Sequence, residues 1–126
     1  MKNMHFKRKL PVPQQIKERY PLTAELAAVK DARDRSLAEI FTGNSEKMVL
    51  IIGPCSADRE DAVLDYCTRL ADLQEQVSEK LVLVPRVYTN KPRTTGAGYK
   101  GLLHQPDPQG GSDLLEGVLS AVCVKP

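Results

Sequence analysis

The sequence is poor in the features that mark specialised classes. It has three cysteines, Cys55, Cys67 and Cys123, and no pair of them has CxxC spacing. An odd, scattered set argues against a disulfide framework and fits a reducing, cytoplasmic setting. No apolar run approaches the roughly 18 residues of a membrane-spanning helix. No apolar segment precedes Pro11 to act as the core of a secretory signal. Net charge is only +2 over 126 residues, too little to argue for a nucleic acid or a membrane surface as partner. There is no internal repeat and no low-complexity tract. What is left is an ordinary composition, 41% apolar and 27% charged, compatible with one packed domain.

Order along the chain comes from hydrophobic periodicity. Residues 1–21 carry Pro11, Pro13 and Pro21 and read as an extended arm, with Lys2, Lys7, Arg8 and Lys9 as a solvated, poorly ordered basic tail. Residues 22–42 read as an amphipathic helix, with Leu22, Leu26, Val29, Leu37, Ile40 and Phe41 at helical spacing, Thr23 as its cap and Gly43 at its end. Asp31, Arg33, Asp34, Arg35 and Glu39 form its wet face. Residues 48–52, Met-Val-Leu-Ile-Ile, are apolar at every position, the pattern of a parallel strand buried on both faces. Helical spacing returns over 59–76 through Ala62, Val63, Tyr66, Leu70 and Leu73. A second buried strand, Leu81 to Val84, enters Pro85-Arg86-Val87-Tyr88. A polar, glycine-rich stretch covers 89–111, and a short helix is expected over 113–121 with Leu114, Leu115, Val118 and Leu119.

Strand, helix, strand, loop, helix is the order of α/β folds. A complete (β/α)8 barrel needs about 250 residues, so this chain has room for about two βα units. The expected architecture is an arm and helix over 1–46, followed by the opening units of an incomplete (β/α)8 TIM-type barrel over 47–126.

Chemistry in such folds gathers at the C-terminal ends of the strands. Gly53-Pro54-Cys55-Ser56 follows the first strand, and Arg86 to Gly101 follows the second. Cys55 sits one residue past a glycine-proline corner. A thiolate there can ligate a divalent metal or act as a nucleophile, although a lone cysteine is more often a small apolar side chain. Arg86, Lys91, Arg93 and Lys100 fall within a segment that contains no acid. Arginine forks and lysine point charges suit phosphate or carboxylate oxygens, Thr94 and Thr95 add hydroxyls, and Gly96, Gly98 and Gly101 let backbone N–H groups approach an anion. Such a cluster fits a small, doubly charged substrate; a solvated basic loop is the plain alternative. His5, in the arm, and His104, in the loop, read as ordinary surface or packing histidines.

These segments resemble a known family. Gly53-Pro54-Cys55-Ser56, then Arg86-Val87-Tyr88, Lys91-Pro92-Arg93-Thr94 and Gly98-Tyr99-Lys100-Gly101, in this order and spacing, are similar to class I 3-deoxy-D-arabino-heptulosonate 7-phosphate (DAHP) synthases over about residues 12–121. The resemblance implies aldol-type condensation of phosphoenolpyruvate with erythrose 4-phosphate, the first step of the shikimate route to aromatic amino acids. It implies a divalent transition metal (manganese, iron, zinc or cobalt) with Cys55 as a ligand, Arg86 at the phosphoenolpyruvate site, and Lys91 between the two substrates as the catalytic lysine. It implies that Pro92, Arg93 and Thr94 hold erythrose 4-phosphate. An aromatic amino-acid inhibitor and homo-oligomer formation are further family expectations for a full-length enzyme. The family's remaining metal ligands, a histidine, a glutamate and an aspartate, fall in later strands. After Ala121 the sequence departs from the family pattern. The chain is therefore expected to be a truncated member, inactive alone. The alternatives are a non-catalytic metabolite-binding or regulatory module, or a truncated pseudogene product.

Overall fold

The computed structural model describes residues 5, 8–107, 109–111 and 113–123. Lys2 and Lys7 lie outside this set. Among the described residues the chain is a mixed α/β structure with two parallel strands and four helices. The order is α1 (Pro13–Arg19), α2 (Ala24–Phe41), β1 (Met48–Ile52), α3 (Glu60–Val77), β2 (Leu81–Pro85) and α4 (Leu114–Cys123).

The arm is not extended throughout: it contains α1. Pro13 occupies the first turn of that helix, where a missing N–H costs nothing and the fixed φ favours helix. The Gln15 side chain turns back to accept the Val12 N–H at 3.0 Å. The basic tail is likewise not wholly solvated, because Arg8 forms an ion pair with Asp113. Asp113 also accepts the backbone N–H groups of Leu115 and Glu116 at 3.0 and 3.2 Å, so it caps α4 while tying the arm to it. These contacts, Arg8 first, hold the Asp113 carboxyl at about 2.

Helix α2 starts where the sequence indicates. The Thr23 hydroxyl accepts the Leu26 N–H at 3.2 Å, and Gly43 follows the helix with φ +78°, the left-handed turn that glycine enters freely. Its expected apolar face is only partly packed: no residue of α2 is buried, Leu26, Val29 and Phe41 are exposed, and Leu37 and Ile40 are half-buried. The reason is legible afterwards. Lys30, Asp31, Arg33, Asp34 and Arg35 interrupt the stripe between Val29 and Leu37.

Strands β1 and β2 pair in parallel, Met48 opposite Leu81 through Ile52 opposite Pro85. The expectation of burial on both faces fails for β1, which leaves Met48, Leu50, Ile51 and Ile52 exposed. A continuous apolar run is covered only when layers pack on both sides. Here α3 packs chiefly against β2, and the sheet has two strands.

The core lies elsewhere, beyond the C-terminal ends of the strands. Ala57, Val63 and Leu102 are almost wholly buried, with Cys67 and Val87 against them. Backbone bonds stitch this region together: Ala57 N–H to Tyr88 O, Leu102 N–H to Ala57 O, and Leu103 N–H to Thr89 O, at 3.0–3.3 Å. The loop after β1, the loop after β2 and the segment at 100–103 thus form one layered unit around Leu102.

Leu102 is fully buried and Phe41 is 79% exposed, and their truncations should differ accordingly. Leu102→Ala is expected to cost about 2–5 kcal/mol through lost burial and a residual cavity. Phe41→Ala should stay within about 0.5 kcal/mol. Urea denaturation of the two variants checks this; equal losses would place the core wrongly.

Candidate functional site

The glycine-proline corner brings its residues to the second strand at very short range. A Cβ on Gly53 would lie 2.0 Å from the Arg86 carbonyl oxygen, so only glycine lets the two strand ends approach this closely. The chain then turns through Pro54 and Cys55. From the other strand end, the Arg86 guanidinium donates to the Pro54 carbonyl at 2.7 Å and lies 4.9 Å from the Tyr88 ring centroid. A stacked, hydrogen-bonded guanidinium is held in one orientation while remaining exposed to solvent.

Lys91 joins the two loops. Its ammonium donates to the Cys55 thiol sulfur at 2.8 Å, to the Cys55 carbonyl at 3.0 Å and to the Ser56 hydroxyl at 3.3 Å. Its backbone N–H is held by the Lys100 carbonyl at 2.7 Å. The hydrogen bond from Lys91, then its charge, lowers the Cys55 pKa, with smaller help from Ser56 and Arg86. Cys67 shows the opposite behaviour, since partial burial without a cation raises its pKa. Two cysteines of one chain therefore differ because one faces an ammonium and the other packs against the core.

Arg93 is placed differently. Its guanidinium makes two bonds to the Tyr99 carbonyl, at 3.0 and 2.8 Å, across a turn closed by Gly96 N–H to Arg93 O at 3.0 Å. Pro92 and Thr94 are exposed on the same loop. The structure thus brings Cys55, Arg86 and Lys91 into one cluster and sets Pro92, Arg93 and Thr94 on the adjoining turn. His104 bonds Asn90 at 2.9 Å, a packing contact of the loop.

Two participants were not singled out by sequence. Ser56 was visible only as part of the turn motif, yet its hydroxyl shares the Lys91 ammonium. Tyr99 was visible only as the aromatic position of the Gly98-Tyr99-Lys100-Gly101 motif, with no role given to it. Its hydroxyl lies 3.0–3.4 Å from the carbonyls of Gln105, Ala57 and Asp58, so it spans both loops. Burial, with the charge of Asp58, raises its pKa. Ser56, Asp58, Gly98, Tyr99 and Gln105 line an open depression of about 650 Å³.

Among the described residues no three His, Cys, Asp or Glu side chains come close enough to hold a metal ion. The Cys55 thiolate is a suitable soft donor, but alone it falls short of the ligand number that holds a transition metal. The described residues therefore do not build a metal centre by themselves. What they build is a solvent-open cluster of cations around the Cys55 thiol, whose pKa they lower.

With this geometry in place, comparison with known proteins is unambiguous. Residues 15–121 match the model of the DAHP synthetase I family, and the chain belongs to that family. It is 37% identical over 109 residues to the phospho-2-dehydro-3-deoxyheptonate aldolase of Corynebacterium glutamicum, covering 86% of this chain and 30% of that one. It is 36% identical over 121 residues to the Tyr-sensitive aldolase of Escherichia coli K12, covering 94% and 33%. It is 40% identical over 100 residues to the phenylalanine-inhibited aldolase of Saccharomyces cerevisiae, covering 78% and 26%. A solved aldolase structure from Francisella tularensis SCHU S4 superposes with a TM-score of 0.83 at 26% identity, over 97% of this chain and 36% of that one. The chain spans a third or less of the length of these curated relatives.

The contact between Lys91 and the Cys55 thiol has a pH signature. Because the folded Cys55 pKa is lowered, the stability this pair contributes is present above the unfolded thiol's pKa and is lost as pH falls through the folded value. Iodoacetamide labelling of Cys55, followed by peptide mass spectrometry across pH, should show an inflection below that of an ordinary thiol. Lys91→Met should move it upward, and Cys67 should label more slowly throughout. An unchanged inflection in Lys91→Met would show that the ammonium does not govern the thiol.

Proposed function

We propose that this chain supplies the substrate-facing rim of a DAHP synthase, the enzyme that condenses phosphoenolpyruvate with erythrose 4-phosphate. One observation supports this above the rest: the Lys91 ammonium is hydrogen-bonded to both Cys55 and Ser56 across two parallel strand ends, with Arg86 oriented beside them. Four positive side chains, Arg86, Lys91, Arg93 and Lys100, and no acid in the segment suit two phosphorylated, anionic reactants held side by side.

The roles follow from the chemistry. Arg86 offers its fork to the carboxylate or phosphate of phosphoenolpyruvate. Lys91 stands between the substrates and is the catalytic residue: its ammonium offsets charge on the reacting oxygens and can donate a proton to them. Pro92, Arg93 and Thr94 form the turn that receives erythrose 4-phosphate, for which the Arg93 guanidinium exchanges a backbone carbonyl for a phosphate. Cys55 is one ligand for a divalent transition metal, which when bound would act as a Lewis acid on a carbonyl oxygen; the other ligands belong to segments beyond these residues. Residues 47–126 correspond to the opening units of a (β/α)8 barrel, with residues 1–46 as a flanking arm and helix. The names of the Tyr-sensitive, Trp-sensitive and phenylalanine-inhibited relatives support an aromatic amino acid as regulator of a complete enzyme, and oligomer formation belongs with it. A cytoplasmic site of action is part of this reading; no helix among the described residues is long and apolar enough to cross a membrane.

By itself the chain holds substrate loosely. Its cations are open to water, which screens them, and one thiolate is too small a donor set for the metal. Phosphoenolpyruvate titrated into the isotopically labelled chain should shift backbone amide resonances at 53–56 and 86–101 more than pyruvate does at matched ionic strength. Lys91→Met should weaken that response about tenfold, the size of one charge-assisted bond. No condensation product should form with added manganese, iron or zinc salts. Equal responses to both ligands would remove the substrate assignment, and turnover by the isolated chain would overturn its dependence on further segments.

A further inference from the structure

Arg86 and Lys91 reach adjacent residues of the loop after β1. The Arg86 guanidinium donates to the Pro54 carbonyl, and the Lys91 ammonium donates to the Cys55 carbonyl and sulfur. Two cations drawn to neighbouring residues repel each other, and a long exposed side chain has rotamers enough to swing away into water. Arg86 is exposed, and among the described residues it has no carboxylate partner. One hydrogen bond to a carbonyl fixes one nitrogen and leaves the guanidinium plane free to turn. The second restraint is the Tyr88 ring, whose centroid lies 4.9 Å from the guanidinium carbon.

The ring is itself held by the backbone around it. Val87 packs against the core cluster of Ala57, Val63 and Leu102, and the residues flanking it, Arg86 and Tyr88, meet each other instead. The Tyr88 carbonyl accepts the Ala57 N–H at 3.3 Å. Thr89 beside it is buried, and its carbonyl accepts the Leu103 N–H at 3.0 Å. A half-buried ring on fixed backbone therefore lies against a guanidinium that is open to water. Stacking and ion pairing restrain an arginine in different ways. A carboxylate occupies the N–H groups along the guanidinium edge, which are the groups an anionic ligand needs. A ring attracts the cation through its face, so the edge stays open apart from the bond to Pro54.

We propose that Tyr88 is a positioning residue for anion binding, whose ring holds the Arg86 guanidinium plane so that its free edge meets the anion beside Lys91. This rests on the reading of the rim as the phosphoenolpyruvate site. The effect belongs to the aromatic ring, and the phenol hydroxyl is not needed for it.

The test joins nitrogen relaxation at the Arg86 Nε–H to a phosphoenolpyruvate titration, both on the full, isotopically labelled 126-residue chain. Tyr88→Phe keeps the ring and should match the unaltered chain in both measurements. Tyr88→Leu removes the ring. In it Arg86 Nε should become more mobile, and phosphoenolpyruvate should bind about threefold more weakly, the scale of one exposed cation–ring contact. The Ala57 amide, bonded to the Tyr88 carbonyl, should exchange at the same rate in all three chains and so reports that the loops persist. An Arg86 equally ordered in Tyr88→Leu would overturn the hold of the ring. A mobile Arg86 with unchanged affinity would overturn its role in anion binding. A Tyr88→Phe as impaired as Tyr88→Leu would move the effect to the hydroxyl and sink the assignment to the ring. Should Tyr88→Leu release the Ala57 amide, Tyr88→Met is read by the same measures, and release there too would make Tyr88 a purely structural residue and end the proposal. No phosphoenolpyruvate response in the unaltered chain would remove the reading of the rim on which this rests, and the anion with it. Relaxation at Arg86 would still decide whether the ring holds the guanidinium.

Discussion

The parallel pairing of β1 with β2 is the constraint from which the rest of this structure follows. Parallel strands need a long crossover, and α3 supplies it. Both strands then finish on the same side, so the corner at Gly53-Pro54 and the basic segment from Arg86 meet although they are more than thirty residues apart. The meeting is tight because Gly53 has no Cβ to strike the Arg86 carbonyl. Ladder-like backbone bonds continue past the strands, from Ala57 to Tyr88 and from Leu102 to Ala57. The buried cluster of Ala57, Val63 and Leu102 therefore supports the loops more than the sheet. Stability and site geometry share the same few residues.

Electrostatics on this rim works by orientation rather than by strong pairing. Arg86 and Arg93 are each fixed by a backbone carbonyl, and neither is neutralised by a carboxylate. A carbonyl holds a guanidinium in place but leaves its charge unspent, so the field remains available to an anion. Lys91 is the exception, because it faces a thiol whose ionisation it promotes. Among the described residues the ion pairs lie elsewhere, between Arg8 and Asp113, Lys30 and Asp34, Arg59 and Asp61, and Arg69 and Asp65. All are solvent-exposed to a degree that makes them minor contributors to stability.

The uncovered surfaces are physically continuous with this picture. β1 exposes four of its five side chains and α2 buries none. A parallel sheet evolved for two covering layers keeps the same apolar composition whether or not those layers lie within the same chain segment. On the other side of β2 from β1, the Gln74 side-chain amide donates to the Leu81 carbonyl at 2.9 Å and accepts the Leu83 N–H at 2.6 Å, so α3 is tied to the backbone of the strand it packs against.

Much of this was determined by sequence alone. The apolar runs at 48–52 and 81–84 and the helical spacing at 59–76 defined the strand–helix–strand unit. Thr23 and Gly43 marked the ends of α2. The turn motif and the acid-free basic segment singled out Cys55, Arg86 and Lys91 as candidates, and the family resemblance implied their roles. These are local signals, set by periodicity, capping chemistry and residue type, and such signals survive in one dimension. Burial did not survive, because it depends on what packs against a residue: Met48, Leu50, Ile51 and Ile52 read as core and are exposed, and so are Leu26, Val29 and Phe41 of the α2 stripe. Pro13 read as a break and begins a helix, since the same ring that disrupts a helix interior fits its first turn. The partners of Lys91, the span of Tyr99 across both loops and the seat of Gln74 on β2 were decided by tertiary structure alone, because each joins groups whose separation in space is fixed by the parallel crossover and not by their spacing along the chain.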